Sequence, residues 1–284
     1  MLREWRCRRR LSQLELALEA DVSSRHLSFV ETGRSRPSAE MVLHLAKRLD
    51  VPLRERNDLL LAAGYAPAYR QCELDATELR PVRDAIEQVL TGHEPYPAVV
   101  VDRHWGLVSA NRALASLVEG AAAHLLEPPV NVLRLSLHPE GVAPRIVNLA
   151  QWRAQLLERL RRAALATGDP ALDALHDELA SYPGGDVGDP HGLVSPEVAV
   201  PLRLRARGAE LSFISTRTRF ENALDVSVGE LSIESFFPTD ERTTDAMRTT
   251  ARETRPFSTP WGGSLGKTTA PSPGRHDAAV SFGV

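Results

Sequence analysis

Two short amphipathic segments joined by a turn of only three residues most constrain the fold of this chain. They occupy residues 13–20 and 24–32, and Asp21 to Ser23 form the turn between them. Their apolar residues form one set at helical spacing: Leu16, Ala17, Ala20, Val22, Leu27 and Val30. Helices joined by so short a turn cross steeply, so the second helix keeps one side on the core and leaves the other free. That free side carries Ser24, Arg25, Ser28 and Phe29.

These segments belong to a series of five predicted helices over residues 1–71, each with its own boundary signals. Ser12, Ser23 and Ser38 each precede a helical stretch, whereas Pro52 suits the first turn of the fifth helix and Gly64 its end. Residues 1–71 carry 13 basic and 9 acidic side chains, whereas residues 72–284 carry 21 and 28. A basic N-terminal part on an acidic body favours a polyanion-binding module at the N-terminus.

The stretch QLELALEADVSSRHLSFVETGRSRPS resembles the helix-turn-helix of lambda-repressor-like (Cro-type, XRE) DNA-binding domains. The resemblance covers about residues 2–66 and implies that the helix over residues 24–32 lies in the major groove of double-stranded DNA. Base contacts are then expected from Ser24, Arg25, Ser28 and Phe29. Arg25 would read guanine through two hydrogen bonds, and Phe29 would touch a thymine methyl group.

The same resemblance assigns roles to residues outside that helix. The positions that meet phosphates in this family correspond to Gln13, Gly33, Arg34 and Arg36. Arg6 and Glu31 correspond to a pair that commonly forms a partly buried ion pair, so Glu31 is expected to be structural. Asp21 stands where the family usually has glycine in a left-handed turn, a conformation that aspartate tolerates better than most residues.

A second domain is predicted over residues 76–238 from a different pattern. Strand-like runs at PAVVVD and GLVSA precede a helical middle, and three more runs follow at VAVPLRLRA, ELSFISTRT and VGELSIESF. Two strands, a helical insertion and three strands predict an antiparallel sheet that carries helices on one side. The expected fold is therefore multidomain, with an all-α helix-turn-helix domain followed by an α+β domain.

The order of these elements resembles a PAS-like sensor fold. Three stretches look like the ligand-binding domain of MmyB-like transcription regulators: PAVVVDRHWGLVSANRA, NVLRLSLHPEGVAPRIVNLAQWR, and ELSFISTRT through VGELSIESFFP. The resemblance covers about residues 76–238 and implies a small apolar ligand, with long-chain fatty acids the class associated with that fold family.

Such a site needs an apolar tube with polar groups at its end to hold a carboxylate. The candidate ligand-binding residues are Asn131, Arg134, His138, Arg145 and Trp152. The first three share one face of a predicted helix, and Arg134 or Arg145 would hold a carboxylate through a forked pair of hydrogen bonds. The alternative is that these residues cap helices and pair with Asp or Glu inside the domain.

The sequence predicts a homodimeric, sequence-specific bacterial transcription regulator, because one helix in one groove reads too little sequence. The alternative is a constitutive DNA-binding protein whose second domain only dimerises or binds a protein partner. A third hypothesis, an enzyme fused to a DNA reader, lacks support because HExxH and a phosphate-binding glycine loop are absent from the sequence. No catalytic residue, metal or cofactor is expected.

The remaining features concern location and the C-terminus. No apolar run approaches the ~18 residues that span a bilayer, so no membrane partner and a cytoplasmic location are expected. Cys7 and Cys72 are expected to be free thiols. Residues 239–284 are expected to form a terminal helix and then a disordered tail, because the sequence from residue 255 is rich in Pro, Gly, Ser and Thr without periodicity.

Overall fold

A computed structural model of the chain describes residues 1–184, 200–206, 208–220 and 223–253. The tail expected to be disordered, from residue 255, lies outside these ranges. The N-terminal part contains α1 (Leu2–Arg8), α2 (Gln13–Glu19), α3 (Ser24–Glu31), α4 (Ala39–Arg48) and α5 (Leu53–Ala62). The sheet-containing part follows from residue 77 onwards.

The N-terminal helices begin where their serine caps are. The side chains of Ser12, Ser23 and Ser38 each accept a hydrogen bond from the backbone N–H three residues later. At Ser12 the Glu15 carboxylate also accepts from the Ser12 backbone N–H, which completes a capping box. The helices enclose a core of fully buried apolar side chains that includes Leu16, Leu27, Leu45, Leu49 and Leu60.

The second part alternates strands with helices. Its elements are α6 (Arg80–Gly92), β1 (Ala98–Val101), β2 (Leu107–Ala110), α7 (Leu114–Val118), α8 (Val132–Leu137), α9 (Leu149–Thr167), α10 (Pro170–Ser181), β3 (Leu202–Ala206), β4 (Ala209–Arg219), α11 (Val226–Gly229), β5 (Ser232–Pro238) and α12 (Glu241–Glu253). Short 3-10 turns lie at Thr77–Leu79, Ala123–Leu125 and Ala143–Arg145. The strands form one sheet in the order β2-β1-β5-β4-β3, and every neighbouring pair is antiparallel. The predicted fold, a five-helix domain followed by an antiparallel-sheet domain with a helical insertion, is confirmed.

Helices cover both faces of the sheet, so the expectation of helices on one side is wrong. Val99 and Val101 of β1 belong to the larger core with residues of α7 to α10, whereas Ala98 and Val100 pack with Ile86 of α6 on the opposite face. The sequence carried this signal, because the run AVVV is apolar without alternation and all four residues are buried. A strand of this kind is covered on both faces.

The C-terminal elements also differ from the sequence pattern in one place. The run VGELSIESF was predicted to be a strand throughout, but its first two residues end α11, and β5 begins only at Ser232. Asp225 causes this, because its side chain accepts hydrogen bonds from the backbone N–H groups of Ser227 and Val228 and so caps a helical turn. Helix α12 then packs on β4 and β5 and buries Met247.

Candidate DNA interface and ligand cavity

Helix α3 presents the predicted base-contacting residues on its outer side. Leu27 is fully buried, whereas Ser24 and Arg25 are exposed, and Ser28 and Phe29 are half-buried. The guanidinium of Arg25 lies over the Phe29 ring, 5.5 Å from its centroid. The four side chains therefore share a surface that begins at the N-terminal end of α3, where the helix-turn-helix places its base contacts.

A buried ion pair holds α1 against α3. Arg6 Nε and Nη2 donate to the two Glu31 carboxylate oxygens at 2.7 and 3.0 Å, and Arg6 Nη1 donates to the Leu11 carbonyl at 2.8 Å. Burial alone would raise the pKa of Glu31, but the hydrogen bonds from Arg6 and Gln13 outweigh it and lower the pKa. The geometry matches the structural role predicted for Arg6 and Glu31.

The residues predicted to meet phosphates occupy different environments. Gly33 and Arg34 are exposed directly after α3, and Gly33 has a φ of 73°. Gln13 instead donates to Glu31 Oε2 at 2.7 Å. Arg36 donates to the Ala63 and Gly64 carbonyls, both at 3.0 Å, and lies over the Tyr65 ring. Arg36 therefore caps the C-terminal end of α5.

The five candidate ligand residues do not converge on one point. Asn131 accepts hydrogen bonds from the Leu133 and Arg134 backbone and caps α8. Arg134 pairs with Glu178 through two hydrogen bonds of 2.7 Å, and the His138 ring contacts that of Tyr182 just beyond the end of α8. These three residues therefore cap a helix, form an ion pair and form a ring contact within the domain.

The other two candidates lie deeper. Arg145 donates to the Leu117 carbonyl, and its Nε is buried without a hydrogen-bond partner among the described residues. Burial lowers the pKa of Arg145. Trp152 is buried and donates its Nε1–H to Ser136 Oγ at 3.1 Å. Of the five candidates, Trp152 is the one that lines the apolar cavity.

This apolar cavity has a volume of about 70 Å³ and lies between the sheet and helices α7, α8 and α9. Its walls include Leu117, Leu135, Trp152, Leu156, Phe236 and Glu234. Glu234 is only 6% exposed and forms an ion pair with Arg159 of α9. The cavity therefore has apolar walls and one charged border, which is the general construction of a site for an amphipathic small molecule.

Two arginines and a tryptophan adjoin that charged border. The guanidinium carbons of Arg159 and Arg217 lie 5.0 and 4.4 Å from the ring centroid of Trp105, which is 1% exposed. Arg217 donates from Nε to Ser232 Oγ at 2.8 Å, and burial lowers its pKa to about 10.

Sequence reasoning missed this group, although its signal was visible in the strand pattern. Leu211 and Phe213 are buried and point to the core, and Arg217 continues the same alternation along β4. A charged residue at a core-facing position of a strand indicates that the domain holds a charged group in its interior.

A cluster of charged residues joins the two parts of the molecule, and we name it the interdomain cluster. It consists of Arg54, Glu55, Arg103, His104, Asp169 and Glu230. Arg54 of α5 pairs with Glu230 through hydrogen bonds of 2.7 and 2.8 Å. Arg103, in the turn between β1 and β2, reaches Glu55 at 3.5 Å and Asp169 at 3.2 Å. The turn that holds Trp105 therefore also contacts the helix-turn-helix part.

Three surface residues could hold a metal ion. Ligand atoms of His124, His138 and Glu140 lie within 4.8 Å of one another. However, His138 Nδ1 accepts the backbone N–H of Glu140 at 3.0 Å, so that ring nitrogen is already engaged. Within the described ranges, no helix is long and apolar enough to cross a membrane.

Comparisons with known proteins give two family matches. The family model of the MmyB-like transcription regulator ligand binding domain matches residues 82–249, which take in the sheet, its helices and most of α12. A helix-turn-helix family model matches residues 2–56, from α1 into α5. A search of curated proteins finds no match to the chain. The two matches confirm the resemblances to a helix-turn-helix domain and to the ligand-binding domain of MmyB-like transcription regulators.

Proposed function

The chain belongs to the family of MmyB-like transcription regulators, and from this premise we propose that it is a homodimer whose sheet domain binds a fatty acid and thereby changes the occupancy of a specific operator. The two family matches by themselves identify a DNA-binding transcription regulator with a ligand-binding domain. The proposal adds the residues that read DNA, the class of the effector and the oligomeric state.

The proposed base contacts rest on the surface of α3. Ser24 and Arg25 are exposed at its N-terminal end, and the Arg6–Glu31 ion pair fixes the helix against α1. We assign base reading to Ser24, Arg25, Ser28 and Phe29, and phosphate contacts to Gly33 and Arg34 beside them. A two-fold dimer presents α3 twice along a palindromic operator, and so reads enough sequence for specific binding.

The proposed effector site is the apolar cavity, and it is the observation that carries the ligand part of the proposal. Its walls come from the sheet and from α7 and α8, which are only five and six residues long. A cavity of about 70 Å³ holds a few methylene groups, so a fatty acid chain has to part these short helices from the sheet. A ligand that does so favours one arrangement of the protein over another, which is the requirement for regulation.

Genome-wide DNA selection with the full-length protein at fixed salt, with and without an added long-chain fatty acid, tests the proposal. We expect an enriched palindrome whose occupancy shifts when the lipid is added. An enriched palindrome that is indifferent to lipid would favour the constitutive alternative, in which the second domain only dimerises. Absence of any enriched sequence would overturn specific DNA binding.

Variants of two exposed arginines test whether α3 binds in the major groove of DNA. Arg25→Ala should relax base preference at one position of each half-site, at a cost of about 1–3 kcal/mol for the preferred base. Arg34→Ala is the matched control, because loss of a phosphate contact weakens all sequences equally and lowers the salt slope by about 1. An Arg25→Ala protein with unchanged base preference would contradict the assignment of α3 to the major groove.

A further inference from the structure

The charged border of the apolar cavity is the place where an effector's head group would lie. Glu234 lines the cavity, and Arg217 lies directly opposite it on the neighbouring strand β4. Side chains of directly opposed residues in an antiparallel pair project from the same face of the sheet, with Cβ atoms about 5 Å apart. Arg217 therefore lies beside the cavity, on the side that Glu234 forms.

The charges in this region do not balance. Arg159 and Arg217 bring two positive charges, and Glu234 supplies one negative charge, which pairs with Arg159. Arg217 has a hydrogen bond from Nε to Ser232 Oγ but no ion-pair partner among the residues that the structure describes. Burial lowers the pKa of Arg217, the charges of Arg219 and Arg159 add to this effect, and the charge of Glu234 offsets only part of it. A partly desolvated cation that shares its one nearby carboxylate with a second arginine favours a further anion that reaches it.

The guanidinium of Arg217 is also held in position. It lies over the face of the buried Trp105 ring, and its Nε is fixed by Ser232. Both Nη groups stay available, since neither has a hydrogen-bond partner among the described residues. A fixed guanidinium with free Nη donors matches the two oxygens of a carboxylate.

We propose that Arg217 binds the carboxylate of an anionic effector whose apolar chain lies between Leu117, Trp152 and Leu156. This inference rests on the proposed function, because it names the head-group site of the effector that we assign to the same cavity. Arg217 thereby selects acids over neutral lipids of the same length. Glu234 keeps Arg159 occupied and leaves the incoming carboxylate to Arg217.

The order of residues along α9 shows which end of the cavity holds the head group. Trp152 and Leu156 border the cavity, Arg159 follows at its charged border, and Thr167 at the far end accepts a hydrogen bond from Arg8 of α1 at 2.8 Å. The head group therefore binds at the end of the cavity that is nearer to the helix-turn-helix part.

Titration calorimetry with decanoic acid and n-decanol tests the inference on the full-length protein. These probes share chain length and differ in charge. We expect the wild-type protein to bind the acid about tenfold to a hundredfold more tightly, the gain given by a charge-assisted hydrogen bond. Arg217→Met should abolish this preference and leave the affinity for n-decanol unchanged, whereas Arg217→Lys should restore part of it.

Arg219→Met is the matched control, because it removes the same charge two residues along β4 from an exposed side chain. It should keep most of the preference for the acid. Acid preference that survives in Arg217→Met, or that Arg219→Met loses equally, would overturn the head-group site and leave the proposed effector class standing. A wild-type protein that binds neither probe would overturn the proposed effector, and with it this inference.

Discussion

At the scale of a single residue, Asp21 shows how the turn between α2 and α3 stores strain. Its φ of 51° lies in the left-handed region, where a side chain costs free energy that glycine avoids. We expect Asp21→Gly to raise the free energy of unfolding by about 0.5–1 kcal/mol, because the relieved strain exceeds the added entropy of the unfolded chain. Urea unfolding measures the change.

The matched variant is Asp21→Val. A β-branched side chain tolerates the left-handed conformation worse than aspartate does, so this protein should be less stable than the wild type. The opposite order of the two variants would show that the turn relaxes and stores no strain.

At the scale of an element, the C-terminal end of α5 depends on Arg36. Its guanidinium binds the Ala63 and Gly64 carbonyls, which the helix itself leaves without donors. Arg36→Ala should therefore lower the free energy of unfolding by about 1 kcal/mol, measured by thermal unfolding. Arg34→Ala, which lacks such contacts, should leave stability unchanged and affect only DNA affinity. Equal stability of the two variants would return Arg36 to the role of a phosphate-binding residue.

At the scale of the whole molecule, the interdomain cluster contains a carboxyl group, that of Asp169, whose contribution to stability depends on pH. Burial alone would raise the pKa of Asp169, but hydrogen bonds from His104 and the Ala171 backbone and the charge of Arg103 lower it. A carboxyl group with a lowered pKa stabilises the folded state above its unfolded pKa of 3.8, and this contribution is lost as pH falls further.

Asp169→Asn isolates that charge, because asparagine also caps α10. The variant should unfold at a lower temperature than the wild type at pH 7, and the difference should vanish as the pH falls below the folded-state pKa of Asp169. A difference that is constant with pH would assign the effect to packing instead of charge.

Local chemistry made much of the fold predictable from the sequence. Serine caps and apolar spacing indicated α2, α3 and α4, and alternation indicated β3 and β4. The uninterrupted apolar run of β1 indicated cover on both faces, but no local pattern indicated that α6 supplies the cover on the second face. The group of Arg159, Arg217 and Trp105 was missed because its members come from α9, β4 and a turn, and only the folded sheet brings them together.

The position of Trp105 between two guanidinium groups has an optical consequence. The excited indole carries a large dipole, so its emission colour follows the electric field of nearby charges. Movement of Arg159 or Arg217 relative to the ring changes that field. The chain has three other tryptophans, Trp5, Trp152 and Trp261, so a protein that keeps only Trp105 isolates its signal. The chain thus carries an intrinsic fluorophore at the place where its chemical input would arrive, and its response is visible without a label.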